Sequence, residues 1–264
     1  QLISANNDNA QYVNLIENFM TMDASLILVV AQDAESVQDV CQRAMEQGIY
    51  VIMLGLYPEN YEISGGIASD FYLTGWACAD MACYWVNQTF PNAGEGEIHA
   101  ALQLSDGFSD GVKRGQGFKD RLSEEYATEV TYTKSMGDGN IEKGFTLGEE
   151  AMLSDPEIRL FVTYDPDPGI GINNYIMQVP DYEPILEQFG IFVVGSSDAA
   201  VELCDASKEG KSILRGILTY GGEDPGITLH QISVALLTGE HEPPYWIFDP
   251  CYTYTHLDYE FIEE

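Results

Sequence analysis

Apolar residues recur along this chain in two alternating rhythms. One is a three-to-four-residue period and the other a short continuous run, and together they predict helix and strand in turn. Val13, Ile16, Phe19 and Met20 mark a first helix, with Asn7 and Asp8 placed to cap it. Residues 26–30 (LILVV) form an unbroken apolar run, the pattern of a strand buried on both faces of a parallel sheet. Val37, Val40, Cys41, Ala44 and Met45 mark a second helix, which Gly48 ends before a strand over residues 49–54. A loop over 55–61 leads to a short strand at 66–68, and Asp70 opens a long helix reaching about Phe90.

Pro91-Asn92-Ala93-Gly94 breaks the pattern and reads as a first crossing between domains. The rhythm then restarts, with a strand at 97–104 and a helix at 107–125 that turns Val112, Gly115, Phe118 and Leu122 inward. Strands follow at 129–133, 158–163, 191–194 and 213–219, separated by helices near 140–153, 168–178 and 199–208. A helix at about 225–238 and a strand at 245–248 close the pattern. Two successive βα series predict an α/β protein of two doubly wound parallel-sheet lobes. The expected division is 1–93 plus 224–248 for one lobe and 94–223 plus 249–264 for the other, with three crossings near 93–95, 220–223 and 248–250. With no low-complexity linker, those crossings read as a hinge. Such sheets bind ligands beyond the carboxyl ends of their strands, so two lobes facing each other would form a cleft.

Charge narrows the choice of partners. Eleven Lys and Arg against 43 Asp and Glu give a net charge of −32 over 264 residues. Nucleic-acid binding needs cations to displace counterions from phosphates, so a nucleic-acid partner is not expected. The longest apolar run, residues 26–31, is far short of the roughly 18 residues that span a bilayer. Residues 1–4 carry neither the basic nor the apolar region of a signal peptide. The five cysteines (Cys41, Cys78, Cys83, Cys204, Cys251) are odd in number and lack CxxC spacing, which argues against a disulfide framework or a zinc site. Cys41, Cys78 and Cys83 fall in apolar helical patterns as small buried hydrophobes.

Catalytic signatures were sought and not found. The sequence has no GxSxG elbow, HExxH pair or Walker loop, and residues 169–174 (GIGINN) lack the third glycine of a dinucleotide fingerprint. His99, His230, His241 and His256 are scattered without metal-ligand spacing. No catalytic residue, cofactor or metal is therefore expected, and the chain reads as a binding protein, not an enzyme.

Several short stretches occur in an order that resembles the type I periplasmic-binding-protein family, in its ribose- and galactose-type sugar-binding branch. They are Asn6-Asn7-Asp8, Gly48 to Ile52, Ile67 to Asp70, Arg114 to Asp120 (RGQGFKD), Asp155 to Ile158, Tyr164-Asp165 and Val193 to Gly195. Each is weak alone; their shared order runs through nearly the whole chain. The resemblance implies an extracytoplasmic solute-binding protein, periplasmic or a cell-surface lipoprotein. It would act as a monomer that presents a small ligand, by family frequency a carbohydrate, to the membrane permease of an ABC-type importer. A ligand-receiving sensor domain of a chemoreceptor or kinase system is the alternative.

The departures from the family matter as much. An arginine expected in the second-lobe helix falls on Val112, an Asp-Arg pair is replaced by Gly55-Leu56 followed by Tyr57, and a hinge-end Gln is replaced by Tyr220. Tyrosines thus stand where the branch places polar groups. Aromatic faces beside carboxylates also suit an amine or a nucleoside-like molecule, and that reading stays open. The candidate ligand-binding residues are Tyr57, Asp70, Phe108, Tyr164, Asp165, Ser197, Asp198 and Tyr220. Asp165 either bonds the ligand or caps the following helix, and Arg114 is expected to pair with a carboxylate. The family's first strand and helix have no counterpart. An interior strand missing from a sheet would leave buried backbone groups unpaired at ~1–3 kcal/mol each. The resemblance therefore implies further residues before Gln1, or another segment filling that place.

Overall fold

A computed structural model describes residues 2–6, 8–31, 33–94, 96–105, 109–125, 130–134, 139–221 and 224–261. The chain divides into two compact units, 1–70 with 221–250 and 71–220 with 251–264.

The first unit contains α1 (Asn9–Thr21), β1 (Leu26–Val29), α2 (Gln38–Glu46), β2 (Tyr50–Gly55) and β3 (Gly65–Ala68). After an interval in the chain come α8 (Pro225–Thr238) and β9 (Tyr245–Phe248). Its four strands are all parallel, in the order β1-β2-β3-β9. Asp8 caps α1 as expected, its carboxylate accepting the Ala10 and Gln11 N–H groups at 2.8 and 3.1 Å. Ile52 and Ile67 pack on Ile232 and Leu236 of α8. β1 is paired with β2 alone among the described strands, and a groove of about 790 Å³ runs beside it, lined by residues 2–5, α1 and β1 itself.

The second unit contains α3 (Phe71–Thr89), β4 (His99–Leu104), α4 (Ser109–Glu125), β5 (Val130–Lys134), α5 (Ile141–Ser154) and β6 (Ile158–Thr163). It continues through α6 (Pro166–Gln178), β7 (Gly190–Val194), α7 (Asp198–Ala206), β8 (Leu214–Tyr220) and β10 (Cys251–Thr255). The strand order is β10-β8-β7-β6-β4-β5, with β10 antiparallel to β8 and every other pairing parallel. Taken in chain order the parallel strands run 2-1-3-4-5, the doubly wound arrangement, whose switch point lies between β4 and β6.

Alternation along β6 builds both halves of this core. Leu160 and Val162 face α3 and α4, while Phe161 packs with Ile170 and Ile176 of α6 on the opposite face. Cys41, Cys78, Cys83 and Cys204 are buried, as three of them were expected to be, and none of the five cysteines forms a disulfide. Burial pushes the Cys41 thiol up to about 12, so it packs as a neutral apolar group.

Three features differ from the sequence expectation. The first unit ends at Asp70, not near residue 93, because α3 packs along α4 and against β7 and β8. Two glycines allow that close crossing: a Cβ on Gly75 would lie 2.0 Å from the Arg114 carbonyl oxygen, and one on Gly117 would lie 2.2 Å from that of Tyr72. Val112 is 53% exposed instead of inward, because Gly115, Phe118 and Leu122 define a stripe that Val112 misses by roughly a quarter turn. Finally, β10 extends the second sheet past the strand expected to close the chain.

Candidate functional site

A cavity of about 410 Å³ opens in the second unit at its switch point. Its lining comes from the carboxyl ends of three strands, the starts of two helices and Gly139: Tyr164 after β6 with Asp165 at the start of α6, Val194 and Gly195 at β7, Tyr220 at the end of β8, and Asp110, Gly111 and Arg114 of α4. Parallel sheets place ligands at this position because loops diverge there to opposite faces.

Arg114 organises the wall. It is only 6% exposed, and each of its three nitrogens donates to a neutral oxygen. Nε reaches Thr74 Oγ1 at 3.2 Å, Nη1 the Tyr164 carbonyl at 2.6 Å and Nη2 the Tyr220 hydroxyl at 3.2 Å. The guanidinium also lies 5.3 Å from the Phe71 ring centroid and 5.4 Å from that of Tyr220. The expected carboxylate partner is thus replaced by neutral acceptors and two aromatic faces. Arg114 fixes Tyr220 and the turn after β6 in place, a support that this helix position signals only through its neighbours.

Asp165 is the residue left free. It occupies the N-cap position of α6 with extended backbone angles, yet its carboxylate accepts no capping hydrogen bond. A cap side chain bonds to the N–H of the second or third helical residue, and in Asp165-Pro166-Asp167-Pro168 the third is a proline without an N–H, which leaves Asp167 alone as an eligible donor. Thr163 Oγ1 donates to the Asp165 carbonyl at 2.7 Å and fixes the turn, leaving the carboxylate among the cavity-lining groups. Withdrawal from bulk water pushes its carboxyl above the ordinary value of 3.8; the Arg114 charge opposes the shift and Asp167 adds to it. Because the residue keeps an exposed face, solvent screens this cost. Gly195, with φ of +86°, leaves the space beside Asp165 open.

The candidate residues separate as follows. Tyr164, Asp165 and Tyr220 meet in this cavity. The Tyr164 hydroxyl accepts the Gly139 N–H at 3.3 Å. Ser197 caps α7, accepting the Ala200 N–H at 3.3 Å, and Asp198 is an exposed residue of the first turn of that helix; neither lines the cavity. Phe108 lies outside the described residues.

Tyr57 and Asp70 belong to the first unit. There Tyr57 is 46% exposed and packs on Trp246 and Phe248, with ring centroids at 4.9 and 5.6 Å. Tyr57 follows the carboxyl end of β2, and Trp246 and Phe248 belong to β9. Asp70 is the exposed last residue before the chain leaves that unit.

Sequence reasoning missed Asp110 and Gly111, which hide in an ordinary helix start. It also missed Trp246 and Phe248, whose two-residue spacing in a strand puts both on one face. Among the described residues no group of three His, Cys, Asp or Glu side chains converges to hold a metal ion, and none of their helices is long and apolar enough to cross a membrane.

Two parallel α/β units, traversed three times by the chain, with a polar and aromatic cavity at a switch point, define a small-molecule-binding α/β protein. The chain belongs to the periplasmic binding protein domain family, whose sequence model matches residues 1–215. A sugar-binding protein of a sugar ABC transporter from Bacillus halodurans has a similar structure, with TM-score 0.74 and 18% identity over 97% of this chain and 86% of that one. An ABC transporter solute-binding protein from Bacillus halodurans C-125 with bound myo-inositol has TM-score 0.74 and 20% identity over 95% and 81%. A third, from Actinobacillus succinogenes 130z with bound D-allose, has TM-score 0.74 and 15% identity over 97% and 85%. A search of curated proteins returned no match.

Proposed function

We propose that this chain is the extracytoplasmic solute-binding component of an ABC-type importer, and that it binds a carbohydrate without transforming it. The observation that carries this reading is the switch-point cavity, where Asp165 offers a carboxylate that no helix cap consumes and Tyr220 offers an aromatic face held by Arg114. Adjacent sugar hydroxyls donate to a carboxylate, and the C–H face of the ring lies against an aromatic. In this proposal Tyr164, Asp165 and Tyr220 hold the ligand on the second unit. The bound carbohydrates of several solved structures of this fold support the class of ligand.

A thermal-shift screen of pentoses, hexoses and polyols tests the proposal. A ligand that binds only the folded form stabilises it by RT ln(1 + [L]/Kd), about 2.7 kcal/mol at one hundred times Kd. At least one carbohydrate is expected to raise the melting temperature by several degrees; a flat response to the whole set would refute the carbohydrate reading.

A further inference from the structure

Three features of the second-unit cavity concern charge, and they act in the same direction. Its wall carries two carboxylates, Asp110 and Asp165, with Asp167 near enough to raise the charge-separation cost at Asp165. Among the described residues lining the cavity the only cation is Arg114, and it is buried with three of its five N–H groups donated to the protein. The two helix starts at the cavity would ordinarily attract an anion through their free N–H groups. Here Pro166 and Pro168 remove two of those donors from α6, and the Gly111 N–H of α4 is taken by Asp110 Oδ1 at 2.8 Å. An arriving phosphate or carboxylate would meet two negative charges of its own sign on this wall and a reduced set of helix-start donors. A hydroxyl or ammonium group would find the Asp110 and Asp165 carboxylates as acceptors. The protein's net charge of −32 adds a long-range field of the same sign.

Resting on the carbohydrate reading above, we infer that this cavity is a charge filter, accepting neutral or amine-bearing ligands that donate hydrogen bonds and turning away uronates and sugar phosphates. The preference follows from the paired acids, the two prolines at the start of α6 and an arginine buried against the protein's own acceptors, and it holds for any ligand class.

The test is a charge-matched panel measured by isothermal titration on the full chain. It pairs D-galactose with D-galactosamine and D-galacturonate, D-ribose with ribose 5-phosphate, D-allose with allose 6-phosphate, and adenosine with its 5′-monophosphate. In every series that binds, the neutral or amino member is expected to bind at least tenfold more tightly than the acidic one. Asp110→Asn should shift that ratio at least threefold toward the acidic member, which a filter of shape alone would not do. An acidic member that binds as tightly as its neutral counterpart overturns the inference. Binding of adenosine with no binding of any sugar would instead overturn the carbohydrate reading while upholding the charge filter.

Discussion

Asp165→Asn is expected to lower affinity for the best carbohydrate ligand by roughly 30-fold to 1,000-fold while leaving the empty protein at least as stable as before. Hydrogen bonds to a charged acceptor contribute about 1.5–3 kcal/mol each, and a carboxylate can accept from two adjacent hydroxyls where an amide oxygen and nitrogen cannot. The second half of the expectation comes from proton linkage. Burial raises the Asp165 carboxyl above its ordinary 3.8, so between those two values the folded state binds more protons than the unfolded state. Stability from this group therefore falls as pH rises through that window, and at neutral pH the ionised carboxylate is a cost to the empty protein. Asparagine removes the cost along with the acceptor. The same sign governs binding. As pH falls, affinity for a hydroxyl-donating ligand should begin to drop at a higher pH than an unperturbed carboxylate would give. Titration calorimetry of wild type and variant across pH, with melting curves of both without ligand, checks each part. Affinity within threefold of wild type would remove Asp165 from the site.

Arg114→Met is the second large effect, and it acts on the scaffold. Methionine fills part of the volume but leaves the Tyr164 carbonyl without its 2.6 Å donor and the Tyr220 hydroxyl without its own. Buried acceptors left unpaired cost ~1–3 kcal/mol each, and two cation–aromatic contacts go with them. A loss of about 3 kcal/mol corresponds, for a domain of this size, to a melting temperature lower by roughly 6–12 °C. Arg114→Lys should recover only part of this, because an ammonium cannot reproduce three divergent donors on a planar fork. Differential scanning calorimetry of both variants measures it. A melting temperature unchanged within 2 °C for the methionine variant would show that the arginine does not support this wall.

The legibility of the fold from sequence followed burial. Strands covered on both faces, such as residues 160–162 and 191–194, are unbroken apolar runs and announce themselves. β10 reads CYTYT and sits at the sheet edge with alternating part-exposed residues, so its signal is weaker and it follows a proline that looks like an ending. The end of the first unit was misplaced because Pro91 is a local break, whereas unit membership depends on what α3 packs against. That information lies in Gly75 and Gly117, residues that look like helix defects until the partner helix is known.

The site was legible where function and local structure share a cause. Tyr164, Asp165 and Tyr220 stand at strand ends, and strand ends can be located from the pattern. Part of the reason Asp165 leaves its helix uncapped was also encoded locally, in the proline at the third helical position. Arg114 was harder, since a buried guanidinium satisfied by carbonyl, hydroxyls and rings looks, in sequence, like one that pairs with an acid. Ser197 shows the converse: its place at a strand end is shared with the site residues, yet its hydroxyl serves the helix that follows.

The central claim is that the ligand is bound at the carboxyl ends of β6, β7 and β8 in the second unit. A crystal structure of the complex with the tightest-binding sugar tests it most directly. Sugar hydroxyls should lie about 3 Å from the Asp165 carboxylate, with the ring against Tyr220. A well-ordered sugar seated elsewhere, with the space between Asp165 and Tyr220 filled only by water, would contradict it.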